Sequence, residues 1–311
     1  MIISASRRTD IPAFYSDWFM NRVRAGFLLT RNPFNYNQVR RISLAPKDVE
    51  VIVFWTRNPS KLMSFLPDLD ALGFSYYFQY TITGYPRSIE RSVPNPYKAI
   101  EQFKTLSSQI GSRRVVWRYD PILLSNFLPI AEHKRLFKKI AEALAGSTCR
   151  VVISFSDFYK KTEKNLRQVK DLICTDIAQQ AEELSDLSRY MALVAAQNGM
   201  EIFTCAENVD VDAISHGKCI DDSLIERVFG LSLKSDKDKG QREACGCIKS
   251  VDIGDYNTCL HGCSYCYATF SSGRVLANRR NHDPESPFLI GGTDGVDPVL
   301  LEGMDPQESL F

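Results

Sequence analysis

The sequence predicts an α/β fold with parallel strands, a partial (β/α)6 TIM-like barrel followed by a cysteine-rich loop segment. Six short apolar runs rich in β-branched residues recur within the first 210 residues, and amphipathic stretches with helical periodicity separate them. Strands that alternate with helices form the right-handed crossovers of a parallel sheet. A partial or closed α/β barrel fits this alternation, and a doubly wound open sheet is the alternative.

The individual elements follow from these two patterns. The six predicted strands are Met1–Ala5, Val49–Trp55, Tyr76–Ile82, Arg114–Tyr119, Arg150–Phe155 and Met200–Cys205. The predicted helices include Asp17–Arg24, Pro96–Ser108, Ile130–Ala145 and Asn165–Ala196. The pattern ends near residue 210, which predicts three regions. They are a barrel-like core over 1–210, a cluster-binding segment packed on the barrel rim over 211–280, and an irregular tail over 281–311.

Composition narrows the classes of function. The chain has 311 residues, of which 44% are hydrophobic, so a large core is available. A net charge of +1 provides no global field for nucleic acid or an anionic membrane. No run approaches the roughly 18 apolar residues of a membrane-spanning helix, and the N-terminus lacks the pattern of a signal peptide. We therefore expect a cytoplasmic protein with no membrane partner.

Polar side chains follow all six predicted strands, where the carboxyl ends of barrel strands share one rim. This placement predicts a polar cavity there. The candidate catalytic residues are Arg7, Arg57, Arg118, Asp120, Asp157 and Glu207. Arginines on this rim would hold anions, and the carboxylates would pair with them, bind ribose hydroxyls or transfer protons. Helix capping is the alternative for each, most directly for Asp10, which precedes Ile11 and Pro12.

Five of the nine cysteines lie between positions 245 and 266, and three of them form the pattern Cys259-x3-Cys263-x2-Cys266. Three thiolates on a short loop can hold three irons of a [4Fe–4S] cluster, with Gly262 relieving the turn. The fourth iron then stays open to a chelating ligand. This pattern predicts a C-terminal iron–sulfur loop segment. A structural zinc site that recruits Cys247 or His261 as its fourth ligand is the alternative.

The cysteine loop, with Tyr265 directly before Cys266, resembles the cluster loop of the radical S-adenosylmethionine superfamily. In that superfamily the open iron binds S-adenosylmethionine, and the reduced cluster cleaves it to methionine and a 5′-deoxyadenosyl radical. The run from Cys259 to Ala268 (CLHGCSYCYA) is especially similar to the subgroup that includes spore photoproduct lyase. The resemblance implies a partial (β/α)6 barrel and a reductant partner such as flavodoxin or ferredoxin. It also implies that Tyr265 lies near the adenine. Arg8 and Asp10, from the predicted rim, are further candidates for binding S-adenosylmethionine.

Nearly the whole chain also resembles the domain-of-unknown-function family 1848. The residues that carry this resemblance are Ser4–Asp10 (SASRRTD), Gln241–Cys247 (QREACGC) and Asp252–Ala268 (DIGDYNTCLHGCSYCYA). This family places a radical-type cysteine cluster near the C-terminal end. Ordinary radical S-adenosylmethionine enzymes carry the loop after their first strand, whereas here it follows the sixth.

Four further cysteines precede the loop. Cys205, Cys219, Cys245 and Cys247 are candidates for a second metal site, holding either another iron–sulfur cluster or zinc. Buried cysteines that bind nothing are the alternative.

Together these patterns predict an iron–sulfur enzyme that reductively cleaves S-adenosylmethionine to act on an unknown substrate. The alternative is a non-catalytic iron–sulfur or zinc protein that acts as a sensor or in electron transfer. No residue pattern distinguishes a damaged base, a peptide or a small metabolite as the substrate.

Overall fold

A computed structural model describes residues 1–33, 35–156, 160–177, 180–205, 207, 211, 213–233 and 236–302. Its strands are β1 (Ile2–Ala5), β2 (Phe27–Asn32), β3 (Asn35–Ser43), β4 (Val51–Thr56), β5 (Tyr76–Thr81), β6 (Val115–Ile122), β7 (Arg150–Phe155), β8 (Glu201–Cys205), β9 (Ser215–Gly217) and β10 (Val251–Asp252). Its α-helices are α1 (Ile11–Phe14), α2 (Ser16–Ala25), α3 (Ser60–Met63), α4 (Leu66–Ala71), α5 (Pro96–Ile110), α6 (Ile130–Leu144), α7 (Lys160–Leu166), α8 (Ala181–Gln197), α9 (Asp222–Phe229) and α10 (Ser272–Arg280). None of these described helices is long and apolar enough to span a membrane.

The chain divides into two compact units. Unit 1 comprises Met1–Tyr76, Val251–Leu260 and Ala268–Phe311, and unit 2 comprises Tyr77–Ser250 and His261–Tyr267. The late strand β10 pairs with β1 inside unit 1, so this unit combines the start of the chain with residues beyond 250. The three predicted regions remain a prediction about domains.

Unit 1 contains a small parallel sheet in which β1 lies between β10 and β4. Ile3 is opposite Val251 on one side and opposite Ile52 on the other. Helix α1 begins directly after this sheet, and the Asp10 carboxylate caps it by accepting a 2.9 Å hydrogen bond from the Ala13 amide. The predicted N-cap is therefore confirmed.

The segment 281–302 packs on the antiparallel hairpin of β2 and β3, also in unit 1. Phe27 and Leu29 of the hairpin form a buried apolar cluster with Phe288 and Val296. The Trp18 indole adds a 3.0 Å hydrogen bond to the Ser286 carbonyl oxygen. Residues 281–302 contain only a short 3-10 turn, yet they cover apolar surface of the hairpin.

Unit 2 is a parallel sheet in the order β5-β6-β7-β8-β9, covered by amphipathic helices. Helix α6 buries one face, with Leu136, Phe137, Ile140 and Leu144 recurring at the period of a helix. The Trp117 ring of β6 stacks on Phe137 with a centroid distance of 4.9 Å. The predicted α/β class with parallel strands is confirmed. The described residues of neither unit form a closed barrel.

One predicted helix is wrong in part. The stretch Asn165–Ala196 is not one helix, because α7 ends at Leu166 and α8 begins at Ala181. Asp171 adopts a left-handed conformation with φ of 59°, which interrupts any helix. Cys174 then makes an antiparallel bridge to Ser125. The apolar spacing that predicts a helix is confined to α8.

Because His133 of α6 is buried, we expect the folded protein to lose stability in mild acid. The ring is fully buried, with Nδ1 3.0 Å from the Tyr119 hydroxyl and Nε2 3.2 Å from the Leu123 carbonyl oxygen. Burial lowers the pKa of His133 from 6.5 to about 4. As the pH falls from 6.5 to 4, the unfolded chain therefore binds a proton that the native ring does not. Stability is complete above this window and falls by roughly 3 kcal/mol across it.

Chemical denaturation at about pH 7.5 and pH 4 measures this loss. The wild-type chain should lose roughly 3 kcal/mol more than a His133→Gln variant, which has no titrating ring. Equal losses in the two proteins would contradict the assignment.

Candidate functional site

The three cysteines of the predicted cluster lie on a loop whose ends are hydrogen-bonded together. The Asn257 amide donates to the Ala268 carbonyl oxygen at 2.9 Å. Asn257 has φ of 55°, a conformation that Asn tolerates better than most residues. Its side-chain oxygen accepts from the Phe270 and Ser271 amides at 3.0 and 3.1 Å. Asn257 therefore closes the base of the loop, a role that its residue type alone does not reveal.

Cys259 belongs to unit 1 and is half-buried. The preceding Thr258 is fully buried, and its carbonyl oxygen accepts a 2.7 Å hydrogen bond from the Tyr15 hydroxyl. Burial raises the pKa of Tyr15, and the negative charge of a Cys259 thiolate adds to the increase. Tyr15 therefore remains a neutral donor that holds the backbone beside Cys259.

Cys263 and Cys266 belong to unit 2, and both are half-buried. The Ser264 amide donates to the Ile89 carbonyl oxygen at 2.9 Å, and the Ser92 amide donates to the His261 carbonyl oxygen at 2.9 Å. These bonds hold this part of the loop against the segment that follows β5. The His261 ring is buried, with Nδ1 3.4 Å from the Ser92 carbonyl oxygen.

Tyr265, the predicted neighbour of adenine, is buried within unit 2. Its hydroxyl donates to the Glu90 carboxylate, which also accepts a 2.6 Å hydrogen bond from the Thr83 hydroxyl. Its ring meets Tyr85 edge-on at a centroid distance of 6.1 Å. Sequence reasoning did not single out Glu90, although a carboxylate in the loop after β5 is a usable signal. These contacts fix Tyr265 in one orientation.

The predicted strand-end residues of unit 1 gather around the ends of β1 and β4. The buried Asp10 accepts from the Thr56 hydroxyl and the Arg57 amide, both at 2.7 Å. The Arg7 guanidinium lies 5.3 Å from the centre of the Trp55 ring, and its amide donates to Asp252. The Asp10 carboxylate is thus joined to Arg57 through the Arg57 backbone amide.

Arg8 lies in the same unit, with its guanidinium 5.2 Å from the centre of the Tyr256 ring. It also approaches Asp255, a carboxyl group that sequence reasoning did not single out. Burial raises the pKa of Asp255, and the nearby Arg8 partly opposes the shift. Asp255 is therefore a further acidic group four residues before Cys259.

The strand-end residues of unit 2 form a second polar group. Buried Arg118 is ion-paired with Asp120, and the Arg118 Nε lies 3.0 Å from the carboxylate. The Ser154 hydroxyl of β7 donates to the same carboxylate. Glu207 accepts a 2.9 Å hydrogen bond from the Phe155 amide. The structure thus brings Arg118 and Asp120 together, whereas Asp157 lies outside the described residues.

The four other candidate cysteines are in contact with one another in unit 2. The Sγ atoms of Cys205 and Cys219 are 2.8 Å apart. Cys247 is hydrogen-bonded to Cys219, and Cys245 is hydrogen-bonded to Cys247. Arg118 Nη1 lies 2.7 Å from the Cys219 Sγ. The four thiols therefore form a series of three contacts, from Cys205 through Cys219 and Cys247 to Cys245.

Ionisation differs along this series of thiols. Hydrogen bonds to Cys205 and Cys247, together with burial, raise the pKa of Cys219 well above its ordinary value. The hydrogen bond from Cys219 and the charge of Arg118 lower the pKa of Cys205. The hydrogen bond to Cys247 and burial raise the pKa of Cys245. Cys205 is therefore the thiol that ionises first in its pair with Cys219.

Across the described ranges, no group of three or more His, Cys, Asp or Glu side chains is positioned to hold a metal ion. The cysteine trio and the four contacting thiols are thus candidates because of their chemistry and contacts. Binding of an iron–sulfur cluster stays a prediction.

Comparison with known proteins identifies a family and no activity. No curated protein matches the chain. A solved structure from Bacteroides thetaiotaomicron VPI-5482, assigned as an alpha-L-fucosidase, is similar with a TM-score of 0.28 and 11% sequence identity, over 76% of this chain and 85% of that chain. A similarity this low carries no inference about chemistry. The profile of one family matches residues 2–268, and the chain therefore belongs to the family named Domain of unknown function (DUF1848).

Proposed function

We propose that this chain is an iron–sulfur enzyme of the radical S-adenosylmethionine type. In this proposal Cys259, Cys263 and Cys266 bind three irons of a [4Fe–4S] cluster, and the fourth iron is left for S-adenosylmethionine. The observation that carries the proposal is this cysteine pattern on a loop closed at its base by Asn257. Thiolates are the usual ligands of such clusters, and all three thiols are half-buried, so the donor set fits the group.

The order of the strands supports a partial barrel as the scaffold. In unit 2 five parallel strands follow one another in chain order, with no reversal. A doubly wound sheet contains a switch point where the strand order reverses, whereas an arc of a barrel does not. The partial (β/α)6 barrel remains part of the proposal.

When bound, the cluster would supply the electron that breaks a carbon–sulfur bond of S-adenosylmethionine. The protein would position the ligand and exclude water. Tyr265, whose hydroxyl donates to Glu90, would contact the adenine, and Arg8 would contribute positive charge for a carboxylate. A flavodoxin or ferredoxin is the proposed reductant.

The proposal predicts a specific response to S-adenosylmethionine. Protein reconstituted anaerobically with iron and sulfide and then reduced should show a paramagnetic resonance signal that shifts when S-adenosylmethionine is added. It should also release 5′-deoxyadenosine slowly without substrate, because the reduced cluster would supply the electron that cleaves S-adenosylmethionine. Chromatography of the quenched mixture measures the release. A full cluster that neither shifts its signal nor cleaves S-adenosylmethionine would instead favour the sensor or electron-transfer function.

A further inference from the structure

We propose that Cys205, Cys219, Cys245 and Cys247 form a separate tetrathiolate site in unit 2 that binds one zinc ion. The four residues come from three segments: the end of β8, the turn after β9, and the loop before β10. None of them belongs to the trio on which the proposed enzymatic function depends. The site is therefore a second metal centre, and it does not require radical chemistry.

The spacing of the thiols favours a single ion over a cluster. Four thiolates around one zinc ion, each about 2.3 Å from the metal, lie roughly 3.8 Å from one another. The Cys205 and Cys219 sulfur atoms are 2.8 Å apart, and the remaining pairs in the series lie within hydrogen-bonding range. As described, these thiols are not positioned to surround an ion, and zinc would bind only after each thiol moved outward to a tetrahedral separation. An iron–sulfur cube would have to push the three chain segments apart.

Hydrogen-bond donors already point at two of the sulfur atoms. Arg118 Nη1 lies 2.7 Å from the Cys219 Sγ, and the Ile220 amide lies 3.4 Å from the Cys247 Sγ. A neutral thiol is a weak acceptor, whereas a metal-bound thiolate carries negative charge and accepts strongly. Four thiolates with one Zn²⁺ leave two negative charges, and the Arg118 guanidinium, which also pairs with Asp120, donates a hydrogen bond towards one of these sulfur atoms. These donors match thiolates better than neutral thiols.

The surrounding backbone holds the cysteines in place. The Cys219 carbonyl oxygen accepts hydrogen bonds from the Tyr77 hydroxyl and from Nε2 of the Gln79 side chain, both at 2.7 Å. At Gly217 a Cβ atom would lie 2.6 Å from the Cβ of Phe203, so only glycine lets β9 approach β8 this closely. That approach places Cys219 beside Cys205. The scaffold is therefore built around Cys219, whose own side chain is buried.

Two other states of the four thiols lead to different observations. Buried cysteines that only fill space would bind no metal. A disulfide between Cys205 and Cys219 would form with the loss of two electrons to an oxidant, and it would withdraw two of the four ligands.

The decisive protein is the full chain with Cys259, Cys263 and Cys266 all changed to Ala, purified without oxygen. Elemental analysis should find one zinc per chain and no iron. Adding Cys219→Ala or Cys247→Ser to this triple variant should lower the zinc at least tenfold. Adding Cys149→Ala instead should leave it unchanged, since Cys149 is exposed and its sulfur lies 3.7 Å from the Ser112 hydroxyl oxygen.

Cobalt provides a second measurement on the triple variant. Co²⁺ added in place of zinc should produce the intense visible bands of a tetrahedral thiolate site. A folded triple variant that takes up neither zinc nor cobalt would overturn the proposal. So would stoichiometric iron with sulfide in that variant, or a Cys205–Cys219 disulfide found by mass spectrometry in anaerobic protein. Absence of iron from the wild-type protein would contradict only the proposed cluster on Cys259, Cys263 and Cys266. The two proposals can therefore fail independently of each other.

Discussion

Changing Cys263 to Ala is expected to reduce both iron retention and 5′-deoxyadenosine release to background. With one of three thiolates missing, only Cys259 and Cys266 remain to hold the cluster, and no neighbouring cysteine lies in the loop to replace the lost ligand. Binding of the cluster would also order the loop that carries the cysteines. The loss of one ligand therefore weakens binding by the other two. Iron and sulfide analysis after anaerobic reconstitution measures the first effect, and chromatography of the reduced reaction measures the second.

Cys149→Ala is the matched control for this prediction. Cys149 is exposed, and the Cys149→Ala protein should retain the wild-type cluster and activity. Cys259→Ala and Cys266→Ala should behave like Cys263→Ala. A Cys263→Ala protein that keeps a full cluster and still cleaves S-adenosylmethionine would remove the basis of the proposed function.

A large loss of stability is expected when Asp221 is changed to Ala. Its Oδ2 lies 2.7 Å from Nη1 of Arg150, and both side chains are more than nine-tenths buried. Its Oδ1 caps α9 by accepting from the Ser223 and Leu224 amides at 3.0 and 3.3 Å. The change leaves the Arg150 charge buried without this partner. We expect a cost of about 4 kcal/mol, of which the helix cap contributes about 1 kcal/mol.

Asp222→Ala provides the comparison at the next position. Asp222 pairs with Lys218 at 2.8 Å, but about a third of each side chain is exposed, so its removal should cost less than about 1 kcal/mol. Chemical denaturation of both variants at neutral pH measures the difference. Similar midpoints for the two proteins would show that the buried pair contributes no more than the surface pair.

Much of the fold follows from patterns that can be read along the chain. The six predicted strands correspond to β1 and β4–β8. Five of them, β1 and β4–β7, are buried almost throughout and therefore appear as continuous apolar runs. The hairpin of β2 and β3 was missed because β3 (NYNQVRRIS) is largely exposed and has no alternation of apolar and polar residues. Strands β9 and β10 have three and two residues, too few to produce a periodic signal.

One part of the candidate site can likewise be read along the chain, and another part cannot. The cysteine trio is local, so its spacing can be read directly from Cys259 to Cys266. The contacts among Cys205, Cys219 and Cys247 depend on the packing of three separate segments, which residue spacing does not contain. Asn257 was not recognised because its role depends on a positive φ and on amides that lie beyond the loop.

The pairing of β1 with β10 has a consequence for the nascent chain during its synthesis. Ile3 and Ser4 pair with Val251 and Asp252, and the Asp252 carboxylate accepts from the hydroxyls of Ser4 and Ser6 at 3.0 and 2.7 Å. Strand β1 therefore finds this neighbour only after almost 250 further residues have been synthesised. At about 5–20 residues per second, that edge of β1 stays unpaired for roughly 12–50 s. An unpaired strand edge is a template for association with other chains, so nascent protein is most exposed to aggregation during this interval.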